Sequence, residues 1–132
     1  MATDDTTLQA EVRLLTHYDA SIISDPDLEG LIEVAKRELL ANTGDPNLDW
    51  YGNIATERSL FWLTCIFCKI RLGEMDAPAF SIGELDVDGY DPDDHVGMWL
   101  NNFWKSYWAI GDGAPIGHIK NNRSDRTYGF DN

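Results

Sequence analysis

The sequence predicts a mainly α protein: a small bundle of about four helices around a central apolar helix, with one short β-strand or hairpin and an extended C-terminal arm. Three observations predict it. From Leu60 to Cys68, within the stretch Thr56 to Leu72, only Thr64 is polar. A helix apolar almost all round is buried at the centre of something. The segments before and after it repeat their apolar residues at three- and four-residue steps, the helical period. Between residues 80 and 89 the period falls to two, the signature of a strand.

The elements follow in order. Residues up to Asp5 are expected to fray. Thr6 and Gln9 have the spacing of a capping box and open a short helix with Leu8, Val12 and Leu15 on one face. After a polar break at His17–Ser21 come Ile22 and Ile23, then a second helix. Asp25 is its expected N-cap, Pro26 its first position, and Asp27 and Glu29 suit the positive end of the helix dipole. Leu28, Leu31, Ile32, Ala35 and Leu39 form its apolar face, and Gly44 with Pro46 ends it. The central helix is closed by Gly73, and its apolar run falls short of the roughly 20 residues a bilayer requires.

Phe80, Ile82, Leu85 and Val87 alternate with polar residues, with a one-residue slip at Gly83 that reads as a bulge or tight bend. A fourth helix is expected from Asp91 as cap and Pro92 as first residue, with Val96, Trp99, Leu100, Phe103, Tyr107 and Ile110 inward. Trp104 and Trp108 widen that face, and Gly111 and Gly113 stop the helix. The organisation is therefore a helical body over residues 1–113 and an arm over 114–132.

The chain of 132 residues is 43% hydrophobic, enough for one modest core and too much for a fully disordered polymer. Its net charge is −13, carried by sixteen Asp and seven Glu against four Lys and six Arg. Such a surface excludes binding to DNA or anionic lipid through bulk electrostatics. The excess fits a protein that stays soluble at high salt, where screening removes self-repulsion. It also fits an acidic mimic of DNA that inhibits a basic host protein. The acids are scattered rather than blocked, which favours the first reading. Met1–Asp5 has neither basic start nor apolar run, so no secretory leader is expected.

Catalytic chemistry finds little support. Cys65 and Cys68 have Cys-x-x-Cys spacing, but they lie inside an apolar helix, where small buried hydrophobes are the simpler reading. No second cysteine pair completes a zinc site, and His17, His95 and His118 are isolated. Glu84, Asp86 and Asp88 before Gly89 resemble the start of a calcium loop, but the twelfth position holds His95 instead of a bidentate Glu. Asp86 and Asp88 are the weak metal candidates, and exposed acids on a strand explain them with less. His95 beside Asp93 and Asp94 is the remaining acid/base candidate, and a lone surface histidine is more often inert. The expectation is a protein without enzymatic activity, cofactor or resident metal.

The aromatic load points elsewhere. Trp50, Trp62, Trp99, Trp104 and Trp108 are many for this length, and exposed aromatic patches mark partner surfaces. The tail is locally basic, with Lys120, Arg123 and Arg126 against Asp125 and Asp131, and carries Ile116, Ile119, Tyr128 and Phe130. It reads as an arm that folds onto a neighbour or as a loose terminus.

The run Thr7–Val12, then Asp25–Glu38, resembles the two opening helices of the phage head–tail connector (adaptor) family. There a short helix is followed by an acidic turn and a Leu/Ile-rich helix with Ala and basic residues. Phe80–Val87 is similar to that family's Ser-x-x-Gly-acidic-x-x-Val segment after the third helix. Order and spacing agree across most of residues 7–110, while the extreme acidity and the Trp-rich fourth helix depart from the family. The acidity suits a tailed virus of a halophilic archaeon.

The resemblance implies a virion structural protein at the neck, assembled in the host cytoplasm and associated with no membrane. Such adaptors form a ring, commonly of twelve subunits, between the portal and the neck or tail protein. The genomic DNA passes through the ring's channel without specific binding. By carry-over, Ile116, Ile119, Lys120, Arg123, Arg126, Tyr128 and Phe130 would grip the portal. Phe80, Ile82, Leu85 and Val87, joined by Trp99, Trp104 and Trp108 from the aromatic argument, would form the subunit and neck interface.

Overall fold

The computed structural model describes residues 2–73 and 95–113, the side chains of 95–96 and 111–113 excepted. Four helices order these residues: α1 (Asp5–Thr16), α2 (Asp25–Thr43), α3 (Ile54–Arg71) and α4 (His95–Gly113). The expected strand over 80–89, the fourth helix's expected cap at Asp91 and the arm over 114–132 lie outside the described residues. No strand occurs among the described residues, and the bundle is mainly helical as expected.

α3 is the centre. It packs most extensively on α4 and next on α2, while α1 lies against both α2 and α3. Leu60, Phe61, Leu63, Cys65, Ile66, Phe67 and Cys68 are all buried. Each fully buried large side chain among them contributes about 1.5–3 kcal/mol of transfer free energy. What buries this apolar run is the rest of its own chain. Polar residues in α3 are satisfied locally, as Thr64 donates to the Leu60 carbonyl at 2.7 Å and Ser59 to that of Ala55 at 2.8 Å.

Local chemistry sets the helix ends, and two of the caps differ from the sequence expectation. Asp4, not Thr6, caps α1: its carboxylate accepts from the Thr7 N–H at 2.8 Å, and Thr7 Oγ1 accepts from the Asp4 N–H at 3.0 Å. The start of the chain is correspondingly ordered, with Ala2 fully buried. Ser24 caps α2 by accepting from the Asp27 N–H at 3.4 Å, so Asp25 and Pro26 occupy the first turn, where proline's missing donor costs nothing. Gly44 closes α2 at φ 72°, in the left-handed region glycine tolerates best. Asn53 caps α3, accepting from Ala55 and Thr56, and Gly73 follows its end at φ 74°. α4 continues through Gly111 as far as Gly113.

The predicted faces hold for α2 and, Val96 aside, whose side chain lies outside the described residues, for α4. Leu28, Leu31, Ile32, Ala35 and Leu39 are buried, as are Trp99, Leu100, Phe103, Tyr107 and Ile110. In α1 only Leu8 and Val12 are inside; Leu15, in the last turn of the helix, is 37% exposed.

Candidate functional site

Two polar clasps fix the frame on which any surface site sits. Glu57 lies in the first turn of α3 with its side chain fully buried. Arg58 meets it at two points, Nε to Oε1 and Nη2 to Oε2, both at 2.5 Å. The Ala2 N–H donates to Glu57 Oε2 at 3.1 Å, pinning the start of the chain to α3. Arg58 also reaches Glu11 on α1 at 2.9 Å and covers the Phe61 ring at 4.4 Å. Its pKa is raised, first by the hydrogen bonds to Glu57, which with Glu11 outweigh the opposing effect of burial.

The second clasp joins α1, α2 and the loop before α3. Tyr51 donates its hydroxyl hydrogen to Asp5, which also accepts from Lys36 Nζ at 2.9 Å. Lys36 lies near the Trp50 and Tyr51 rings, at 5.8 and 5.9 Å from their centroids. Burial pushes the Asp5 carboxyl up, but Tyr51 and Lys36 outweigh it, and the pKa ends below the usual value. Sequence reading missed both clasps, whose partners lie up to 55 residues apart in the chain.

Cys65 and Cys68 are both buried, and neither forms a disulfide. Burial first, then the neighbouring sulfur, raises the Cys65 thiol well above its ordinary value, and burial pushes Cys68 up to about 12. Both are therefore protonated, packed side chains at neutral pH. Among the described residues no group of three or more His, Cys, Asp or Glu is placed to hold a metal ion. No helix of the described residues is long and apolar enough to cross a membrane.

The expected site residues divide sharply. Phe80, Ile82, Leu85, Asp86, Val87 and Asp88 lie outside the described residues, as do Ile116, Ile119, Lys120, Arg123, Arg126, Tyr128 and Phe130. Trp99, expected at an interface, is corrected: it is 5% exposed in the core, with Lys69 Nζ 5.3 Å from its ring centroid. Trp104 is half-buried, and Trp108 is 44% exposed. Trp50 and Trp62 are also half-buried against the core, so four of the five tryptophans are at least partly absorbed by the protomer.

Trp108 thus heads the surface that remains. Its ring stacks on Trp104 with centroids 6.1 Å apart and meets Tyr107 edge-on at 5.5 Å. Met98, 43% exposed, and the exposed Asn101 and Lys105 share its side of α4, at steps of three and four residues. No Asp or Glu occurs between His95 and Gly111. An aromatic strip centred on one lysine thus interrupts the acidic surface.

The other large exposed apolar residues among those described are Leu14 and Leu15 on α1, Ile22 in the following turn and Ile54 at the start of α3. Single residues of this kind are ordinary on a protein surface. The α4 strip combines size, rigidity and distinct charge, which is what recognition surfaces need. No family model, curated protein or solved structure matches the chain.

Proposed function

We propose that this chain is a head–tail adaptor of a tailed virus, a structural subunit whose ring joins the portal to the neck or tail. The observation that carries the reading is the α4 strip: once the bundle has enclosed α3, Met98 and Trp108 are still exposed, on a stretch (residues 95–111) that contains no Asp or Glu. The ordered resemblance across residues 7–110 supplies the class of assembly, and the helical body is compatible with it. In this reading the protein does its work by geometry, without catalysis or cofactor. Acidic walls let DNA pass without sticking, since like charge offers no phosphate contacts. Residues 114–132 grip the portal.

The competing reading, an acidic mimic of DNA, requires carboxylates left available for a basic partner. Asp25, Asp27 and Glu33 instead each face a cation of the same chain, at 2.7, 3.5 and 3.6 Å.

Sedimentation and electron microscopy of the full chain test the adaptor reading, in molar salt alone and mixed with portal rings from a haloarchaeal tailed virus. A ring in either condition is expected. A strictly monomeric, non-associating species in both overturns it. Removing residues 114–132 is expected to abolish portal binding with helicity intact, and unchanged binding sinks the role of the arm.

A further inference from the structure

We infer that α1, with the residues before it, is a strap held on by charge, which leaves the α2–α4 body as one unit while that body stays folded. Its share of the packing is small. Only Leu8 and Val12 of α1 are buried, whereas α3 buries Leu60, Phe61, Leu63, Ile66 and Phe67 among others. Leu14 is 78% exposed, the residues from Asp19 to Ile22 are all exposed, and Ile23 is the next buried side chain after Val12.

What holds α1 down instead is a set of polar links. Each of its three charged side chains reaches across a seam. Asp5 accepts from Lys36 of α2 at 2.9 Å and from Tyr51. Glu11 accepts from Arg58 of α3 at 2.9 Å, and Arg13 donates to Asp25 of α2 at 2.7 Å. Ahead of the helix, the Ala2 N–H adds its bond to Glu57. The carboxylates of the three ion pairs stay 33–67% exposed. Pairs so placed are individually weak, because each partner regains water on separation. Few buried apolar side chains and many water-reached polar links are the marks of a segment that opens below global unfolding.

The joint is marked as well. His17 closes α1 at φ 62°, the left-handed region, which a non-glycine residue holds only where its surroundings impose it. Release of α1 removes that constraint. It also uncovers the α2–α3 surface under Leu8 and Val12 and takes Ala2 away from Glu57, the one buried carboxylate among the described residues. The opened chain thus presents apolar surface and a charge that the closed chain hides.

Amide hydrogen exchange of the full chain, read residue by residue by NMR in molar potassium chloride at a concentration where sedimentation shows the protomer, tests this. Amides from Leu8 to Thr16 are expected to share one opening free energy and one dependence on low urea, both smaller than those of the slowest α3 amides. Rates that fall gradually from the chain's start and ignore urea mean fraying, and rates equal to those of α3 mean a single unfolding unit. Either overturns the inference.

Two variants separate strap from body. Phe103 is fully buried on α4, the helix that packs most extensively on α3. That seam stays closed when α1 opens, so Phe103→Leu is expected to speed the slowest α3 amides and leave α1 at its native rate. Arg13→Gln cuts one link and leaves Asp25 to solvent, and α1 exchange is expected to rise about twofold to fivefold. Acceleration of α1 in Phe103→Leu by the factor seen in α3, or an unchanged α1 rate in Arg13→Gln, overturns the inference.

Discussion

Glu57 and Arg58 are adjacent in sequence and joined at two points, yet one is sealed and the other is not: the carboxylate side chain is 0% exposed and the guanidinium 30%. The buried partner is the one that cannot be left alone. A charge stranded inside a protein keeps its full desolvation penalty, whereas an exposed one recovers water.

Removing either partner is therefore expected to destabilise the fold unequally. Glu57→Gln leaves Arg58 with Glu11 and solvent, and a loss of about 3 kcal/mol is expected, the low end for breaking a buried pair. Arg58→Met leaves a buried carboxylate with the Ala2 N–H as its remaining donor from this clasp, and about 4–5 kcal/mol is expected. Urea unfolding followed by circular dichroism measures both. An Arg58→Met protein more stable than Glu57→Gln would contradict the asymmetry.

Acid sensitivity is expected to run through Asp5. Its folded pKa lies below the ordinary value, so its contribution is present above the unfolded pKa of about 3.9 and disappears as pH falls through the folded one. The difference in stability between the native chain and Asp5→Asn is expected to be constant near neutrality and to shrink below about pH 4. Urea midpoints across an acid series provide the check. A difference that stays unchanged through the whole acid series would show that Asp5 acts by packing rather than by charge.

The thiols offer a test of the core. Cys68 is pushed up to about 12 and Cys65 is raised as well, both by burial. Neither is expected to react with iodoacetamide at about pH 8 in the native chain, while both react at the free-thiol rate in urea. Alkylation followed by mass spectrometry gives the two rates. Fast labelling of native Cys65 would mean that α3 is less enclosed than its packing indicates.

How legible this was in the sequence depends on the kind of information each feature carries. The inward faces of α2 and α4 were readable because burial repeats with the helical period, and no long-range knowledge is needed. The caps slipped because neighbouring residues compete: Ser24 and Asp25 are both good caps, as are Asp4 and Thr6. The Asp5–Tyr51 and Ala2–Glu57 contacts join residues 46 and 55 positions apart, and no local spacing encodes such a meeting. The α4 strip was half readable. An aromatic-rich face is plain in the sequence, but which rings point inward depends on where α3 lies against it.

Trp99 and Trp108 make that last distinction measurable, since nine residues of one helix separate a core side chain from a surface one. Trp99→Ala removes a ring that is 5% exposed and is expected to cost about 3–5 kcal/mol, leaving a cavity beside α3. Trp108→Ala trims a ring that is 44% exposed, and about 1 kcal/mol or less is expected, since one face already meets solvent. Fluorescence separates the two without relying on stability. Iodide quenches indoles in proportion to their exposure, so Trp108→Phe is expected to remove the largest single share of the quenchable emission of the dissociated protomer and Trp99→Phe almost none. Self-association is expected to protect Trp108 from iodide as protein concentration rises. If quenching of the native chain is independent of concentration over the range where sedimentation shows assembly, the α4 strip stays open in the assembly and the ring is built on another face.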